Sequence, residues 1–541
     1  MAELRNTSLL IRLAWRNERI KLILWTAGIV LLVAGMVATV EDLFANSQEL
    51  EQAAIFFAQN PIIRLFTLPA EASVGGFVML RAYIIFAVLA ALMSMLATTR
   101  LVRRDEEIGR AELISSGAVG RQSGLAAALI LVALLNVMVA SLAALVLIAN
   151  DLDVAGSWAA GASIGAVGLV FAGISAVAGQ LTQTARGANG ISGAILGGAY
   201  LASAVGSMLG DVEPGEVMVE PAWSTWLSPI GWGQMMRPFA ENNWWVLMLF
   251  LALFAVLAAV AFMISVGRDV GHGMLPARRG PDSAPATLSS PAGLSWRLQR
   301  GALLSWTVGV GLFAAVFGAI FDHFEELISE IEGAEALFGE IGGAATISDS
   351  YMSAIAAIIG ILALFYVAQT LLRMRAEEAE GRTSAILATS VSRLRWKMSY
   401  QLMVIAGAVW LLIVAGVSAG LAAFITTGDW ESYSQPLFEG MILQLPAVLV
   451  MAGLVSMLIG IAPRRVTPIS WALLMVIIAC SPVVSDLLDV PEWAQDISPL
   501  TFTAAAIIDS NPDQLLALSA LGLVLAGIGW TVYRIRDIGN N

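Results

Sequence analysis

Residues 124–149 read GLAAALILVALLNVMVASLAALVLIA. No ionisable side chain interrupts this run, and Asn136 is its one amide. A bilayer core needs roughly 20 apolar residues per helix, so the stretch reads as a membrane span. Working outward, similar runs fall at 22–40, 82–99, 157–179, 188–209 and 244–266 in the first half of the chain. The second half carries them at 302–321, 351–372, 399–425, 437–461, 466–485 and 514–533. The expectation is an all-α polytopic membrane protein with twelve transmembrane helices.

Composition leads to the same class. Of 541 residues, 58% are hydrophobic and 13% charged, with a mean hydropathy of +0.80, whereas soluble globular chains carry about 25% charged residues. That much apolar surface does not fit into aqueous cores of ordinary size. A soluble enzyme, a secreted disulfide scaffold, a nucleic-acid binder and a disordered protein are excluded together. Cys480 is the single cysteine, and His272 and His323 lie far apart. Neither a disulfide nor a Cys- or His-ligated metal site is expected. The N-terminus does not read as a signal peptide, because Arg12, Arg16, Arg19 and Lys21 interrupt it.

Alternate loops separate by charge. One set comprises the N-terminal segment, the 100–121 loop, Arg186, the 267–300 segment, the 373–397 loop, Arg464–Arg465 and the tail with Arg534 and Arg536. All 29 basic residues belong to it except Arg64, Arg81 and Arg237, while most acidic residues belong to the opposite set. The positive-inside rule then places both termini in the cytoplasm, and the alternation requires an even number of spans.

The chain also repeats itself. Trp15-Arg16, Arg19, Trp25-Thr26 and Gly28 recur as Trp296-Arg297, Arg300, Trp306-Thr307 and Gly309. After the second span, Glu106, Gly109-Arg110, Val119 and Arg121 recur as Glu378, Gly381-Arg382, Val391 and Arg393. Trp223 and Ser228-Pro229 recur as Trp493 and Ser498-Pro499. Because each copy holds an even number of spans, the two six-helix units enter the membrane in the same sense, as a parallel repeat. The expected organisation is a first unit at 1–266, a flexible cytoplasmic linker at 267–294 and a second unit at 295–541.

Four kinds of segment are candidates for function. The mixed-charge stretch after the second span, with Glu106, Gly109, Arg110 and Glu112, returns with Glu378, Gly381 and Arg382. Glu106–Arg110 and Glu378–Arg382 have the i, i+4 spacing of helix ion pairs. Such a stretch reads as a positive-inside anchor or as a docking surface for a cytoplasmic partner. Residues 9–21 place Leu and Arg at helical spacing, as an interfacial elbow helix does. The outer segments 41–75 and 322–349 are acidic with apolar residues at helical spacing, so amphipathic capping helices are expected. The tryptophan-rich 221–237 and its copy at 491–508 read either as an aromatic belt or as an outer gate.

Absences narrow the mechanism. A phosphate-cradling Gly-x4-Gly-Lys-Ser/Thr loop is missing around Lys21 and Lys397, the two lysines. The chain is therefore not expected to bind ATP or to be an enzyme itself. No ionisable residue falls mid-span, as ion-coupled transport requires, and Asn136, Gln369 and Gln444 read as interhelical hydrogen-bonding groups.

The Glu-Glu-x-Gly-Arg-x-Glu-Leu pattern at 106–113, the Glu-Glu-x-x-Gly-Arg variant at 377–382 and the duplicated layout resemble the membrane subunits of ABC exporters. Together with Gly-Met-Leu-Pro-Ala-Arg-Arg-Gly-Pro at 273–281, they are most similar to polyketide-antibiotic (tetronasin-type) exporter permeases and to the G-subfamily-like (type V) exporter fold. That resemblance implies a permease in the bacterial cytoplasmic membrane, recruiting two copies of a separately encoded ABC ATPase. Cofactors, ATP and Mg, would sit on that partner, with none in this chain. The resemblance places Glu106, Gly109, Arg110, Glu112, Glu378, Gly381 and Arg382 at coupling loops 100–121 and 373–397. It implies a path for hydrophobic drug-like or polyketide substrates lined by the second, fifth, eighth and eleventh spans, with Tyr83, Phe86, Met93, Tyr200, Phe365 and Tyr366 as candidates. The alternatives are an ion-coupled secondary transporter and a non-transporting sensor or assembly protein of envelope or lipid machinery.

Overall fold

The computed structural model describes residues 4–44, 46–61, 63–69, 71–110, 117, 119–268, 273–274, 282–329, 347–485, 490–505 and 511–537. Among them the elements are helical, and the one extended pairing is a bridge between Asp211 and Glu220. The chain divides into two compact units, Met1–Gly280 and Pro281–Asn541.

The first unit contains α1 (Thr7–Leu43), α2 (Ser47–Gln59), α3 (Val74–Thr99), α4 (Ser123–Ala149), α5 (Val154–Leu181), α6 (Ala185–Met208), α7 (Pro229–Met235) and α8 (Val246–Gly267). Local chemistry sets several starts. Ser73, Asp153 and Thr184 each accept a backbone N–H from the first turn of α3, α5 and α6, satisfying donors that a helix cannot pair internally. Ser228 does the same for α7, with Pro229 in the first turn, where its missing N–H costs nothing. Helix α5 is the most buried of the candidate spans and packs against α3, α4 and α8. Its Gly161, Gly165 and Gly168 face Ala140 and Asn136 of α4 so closely that a Cβ there would collide. In lipid, such small residues let helix backbones approach.

The second unit contains α9 (Pro291–Ser329), α10 (Ile347–Ala379), α11 (Arg382–Leu387), α12 (Arg393–Thr427), α13 (Gln435–Ile442), α14 (Leu445–Ile461), α15 (Val466–Ala479), α16 (Pro499–Ala505) and α17 (Pro512–Ile535). The pairs α9–α12 and α14–α17 pack most extensively. Gly453, Gly522 and Gly529 bring α14 and α17 into backbone contact.

Eleven helices among the described residues are long and apolar enough to cross a membrane. The difference from twelve lies at 466–485. There α15 is 14 residues long, about 21 Å at 1.5 Å per residue, against a hydrocarbon core of about 30 Å. Turns follow at 481–485, where Pro482 cannot continue the helical bonding. The elbow expected at 9–21 is continuous with the first span, since α1 runs unbroken for 37 residues. Likewise, the second unit's first helix starts at Pro291 rather than after 294. Much of the linker, residues 330–346 of the outer segment and Glu112 lie outside the described residues.

The amphipathic helix expected within 41–75 forms. Helix α2 buries Leu50, Ala54 and Ala58, and Phe44 and Phe57 meet Phe77 of α3 edge-on at 4.9 and 5.6 Å. Two of the three basic residues in the acidic loop set are buried. Arg64 donates to the Gly210 carbonyl at 2.7 Å, and Arg237 pairs with Glu220 at 2.7 Å and Glu241 at 3.2 Å.

Candidate functional site

The Glu-x-x-Gly-Arg segments occupy equivalent places in the two units. In the first, α3 continues through a wider turn at Arg100–Arg104 into Asp105–Glu107 and then stops. Gly109 has φ +75°, and its counterpart Gly381 also has φ +75°. A side chain disfavours that left-handed conformation, so glycine ends the helix in both copies. The backbone N–H of each glycine donates to the carbonyl of the glutamate three residues earlier, at 3.1 Å to Glu106 and 3.0 Å to Glu378.

This break overturns the expected Glu106–Arg110 and Glu378–Arg382 pairs. Past the left-handed glycine the chain no longer follows the helix, so the i, i+4 geometry is lost. Arg110 instead reaches Asp105 at 3.7 Å, and Arg382 reaches Glu377 at 2.5 Å together with Glu380. Both arginines remain more than half exposed.

The glutamates turn into their own units. Glu106 is held at 2.5 Å by Arg103, itself fully buried, and at 2.5 and 2.8 Å by the two terminal nitrogens of Arg268. Arg268 lies just past the end of α8, and its Nε donates to Gln180 Oε1 at 2.6 Å. In the second unit Glu378 is held by Arg375 at 3.4 Å and by Arg536, just past the end of α17. Arg121, before α4, donates to the Arg268 carbonyl at 2.7 Å, and Arg393, at the start of α12, donates to the Arg536 carbonyl at 2.7 Å. Each unit thus fastens the ends of three helices with one carboxylate and three arginines, and leaves a glycine turn and one arginine outside. Paired charges at this depth hold helix ends rigidly, because removing one partner strands the others.

Sequence reasoning found Glu106 and Glu378 but missed their partners Arg268 and Arg536. The signal was present: Arg268-Asp269-Val270-Gly271 recurs as Arg536-Asp537-Ile538-Gly539 after the last span of each half. Lys397, expected in a loop, lies one turn into α12 and is buried. Its Nζ donates to the carbonyls of Ser456 at 2.9 Å and Gly529 at 2.6 Å.

The candidate path residues lie mostly inside the packed units. Tyr83, Phe86, Met93 and Tyr366 are buried in their hydrophobic cores. Tyr83 donates to the Ile230 carbonyl at 3.1 Å, tethering α3 to the short helix α7. Tyr200 and Phe365 are half-buried, the first hydrogen-bonded to the Leu65 carbonyl at 3.4 Å and the second against Trp471 at 5.8 Å. Of the three polar spans' residues, Asn136 donates to Ser94 at 2.8 Å and Gln444 accepts from Thr503 at 2.8 Å, both buried. Gln369 also bonds across helices, accepting from Trp306 at 2.9 Å, but on an exposed face.

Comparison with known proteins adds the family. The profile of the family described as "Multidrug efflux system permease Rv1217c, C-terminal domain" matches residues 10–264 and 288–534. The Multidrug efflux system permease protein Rv1217c of Mycobacterium tuberculosis (strain ATCC 25618 / H37Rv) is 33% identical over 531 residues, covering 98% of this chain and 94% of the relative.

Proposed function

Because the chain belongs to the multidrug efflux system permease family, we propose that it is the membrane subunit of an ATP-driven exporter of the tetronasin type. In this reading two copies of a separately encoded ABC ATPase bind it, and their closure moves hydrophobic drug-like or polyketide compounds outward by alternating access. Both termini lie in the cytoplasm, and the chain crosses the membrane twelve times as two parallel six-helix repeats of the G-subfamily-like (type V) kind. ATP and Mg belong to the partner.

The observation that supports the proposal is the repeated fastening of Glu106 to Arg268, whose carbonyl Arg121 holds, and of Glu378 to Arg536, whose carbonyl Arg393 holds. A push delivered at the glycine turn reaches three helix ends at once, because the Glu–Arg ion pairs and the arginine–carbonyl bonds tie them together. The exposed groups available for contact are Gly109 with Arg110 and Gly381 with Arg382. Glu106 and Glu378 act behind them, as positioning residues. For the substrate path, the half-buried Tyr200 and Phe365 are better candidates than Tyr83, Phe86, Met93 and Tyr366, whose rings and side chains are committed to core packing.

The test is reconstitution of the full chain with the proposed, separately encoded ABC ATPase. Ethidium efflux from proteoliposomes is expected to need ATP and both proteins. Uphill efflux by this chain alone under a proton gradient would overturn the reading in favour of a secondary transporter.

A further inference from the structure

A cavity of about 960 Å³ opens in the first unit, where the N-terminal part of α1 meets the far end of α3 and the start of α4. One wall is apolar, with Leu13, Leu101, Leu125 and Ala128. The other carries Lys21, Arg100, Arg104, Arg110, Arg121 and Arg268 against the acids Glu18, Asp105 and Glu106. Cations therefore outnumber anions. Arg104 makes no ion pair among the described residues, and Arg100, whose Nε lies 3.3 Å from Glu18, keeps a buried Nη2 without a hydrogen-bond partner. A buried donor left unpaired is destabilising, so a ligand acceptor beside it is favoured.

The second unit carries different side chains at the equivalent positions. Glu18 and Lys21 correspond to Gln299 and Ala302, and Arg100 and Arg104 to Leu372 and Ala376. Gly124 and Ala128 correspond to Trp396 and Tyr400, two fully buried rings 5.9 Å apart. Arg100 and Arg104 thus have no cationic counterpart and two rings stand at the positions of Gly124 and Ala128, while the Glu–Arg fastening is kept and a cavity of about 620 Å³ is lined by Ala292, Arg395, Met398 and Leu402.

We propose that this cavity binds an anionic phospholipid, with the phosphate on Arg100 and Arg104 and an acyl chain along Leu101, Leu125 and Ala128. The site lies at the ends of two candidate spans, Val74–Glu107 and Ser123–Ala149, the level at which lipid headgroups meet basic side chains. Its volume falls within the roughly 300–1,000 Å³ of small-molecule sites. The inference needs the membrane location but not the ATPase partner.

The experiment uses the full chain alone, delipidated in neutral detergent. Retention of phosphatidylglycerol and of phosphatidylcholine is read by native mass spectrometry, and thermal unfolding is followed with each lipid and with inorganic phosphate. Phosphatidylglycerol is expected to be retained preferentially and to raise the melting temperature. Two variants attack the site separately. Arg104→Ala removes an exposed charge and keeps the cavity. Gly124→Trp keeps the charges and fills the cavity, at a position where a Cβ meets nothing within 4 Å. Arg104→Ala is expected to lower phosphatidylglycerol retention about five-fold, the effect of one basic residue at an anionic lipid surface, and Gly124→Trp to lower it by blocking the space, both with lipid-free melting unchanged. Equal retention of the two lipids, or undiminished phosphatidylglycerol in both variants, would overturn the proposal. Stabilisation by phosphate equal to that by phosphatidylglycerol would put a free anion in the cavity and overturn the lipid assignment.

Discussion

The guanidinium of Arg268 grips both oxygens of Glu106, at 2.5 and 2.8 Å, although 162 positions separate them in sequence. Arg536 meets Glu378 across 158 positions in the other unit. Each contact joins the end of the unit's last span to the end of its second, at the place where force from a partner is proposed to enter.

Breaking this contact is expected to loosen the unit that contains it. Glu378→Ala removes the carboxylate that pairs with Arg375 and Arg536, and Glu106→Ala the one that pairs with Arg103 and Arg268. Losing one partner of a buried pair costs about 3–5 kcal/mol. Glu378 is the more buried, with 4% of its side chain exposed against 14% for Glu106. Glu378→Ala is therefore expected to lower the melting temperature in detergent more than Glu106→Ala. Equal shifts would show that depth does not govern the cost.

Coupling is expected to depend on the outer groups and stability much less so. Arg110→Glu with Arg382→Glu should abolish co-purification of the ABC ATPase and leave melting of the permease close to wild type, because both side chains are more than half exposed. Exposed pairs contribute about 0–1 kcal/mol. Normal co-purification would remove these arginines from the docking surface.

The glycine turn can be tested apart from charge. Gly109→Ala and Gly381→Ala each force a Cβ into the left-handed region, at a cost of roughly 1–2 kcal/mol. Neither position has a neighbour within 4 Å of the added atom, so strain rather than collision is being measured. The expected result is a small loss of stability with a larger loss of substrate-stimulated ATP hydrolysis in the reconstituted complex.

The loop before α3 carries a pH signature. Burial holds the Glu71 carboxyl above its usual range, and the nearby charge of Asp153 adds to the effect. A carboxyl that keeps its proton more tightly when folded favours the fold below its unfolded value of 4.5, and that contribution fades as pH rises through the folded value. Melting curves between about pH 4 and 7 are expected to show a downward slope in the wild type that Glu71→Gln reduces. An unchanged slope would exclude Glu71 as its source.

Much of this protein is written locally. The apolar run at 124–149 became α4 (Ser123–Ala149), and Asn136 within it bonds across to Ser94, because a lone amide in a lipid-facing bundle must find a partner. The recurrence of Glu106-x-x-Gly109 as Glu378-x-x-Gly381 placed two equivalent turns, since a glycine at the end of a helix carries its conformation in its own backbone. At 466–485 hydropathy overstated the helix, because a window average registers Ser481-Pro482 only weakly, whereas the proline stops the bonding ladder outright.

Chain order alone thus determined the membrane class, most span positions, the doubling and the glycine turns, all of which depend on composition and short-range backbone preference. Only the tertiary structure decided which charges meet. It turned Glu106 away from Arg110 and toward Arg268, brought Lys397 to the carbonyls of Ser456 and Gly529, and opened beside Gly124 a space that Trp396 fills in the other half. Ion pairs and cavities are set by where distant helix ends arrive in space, and that arrival is fixed by the packing of small residues along whole helices rather than by the spacing of any one motif.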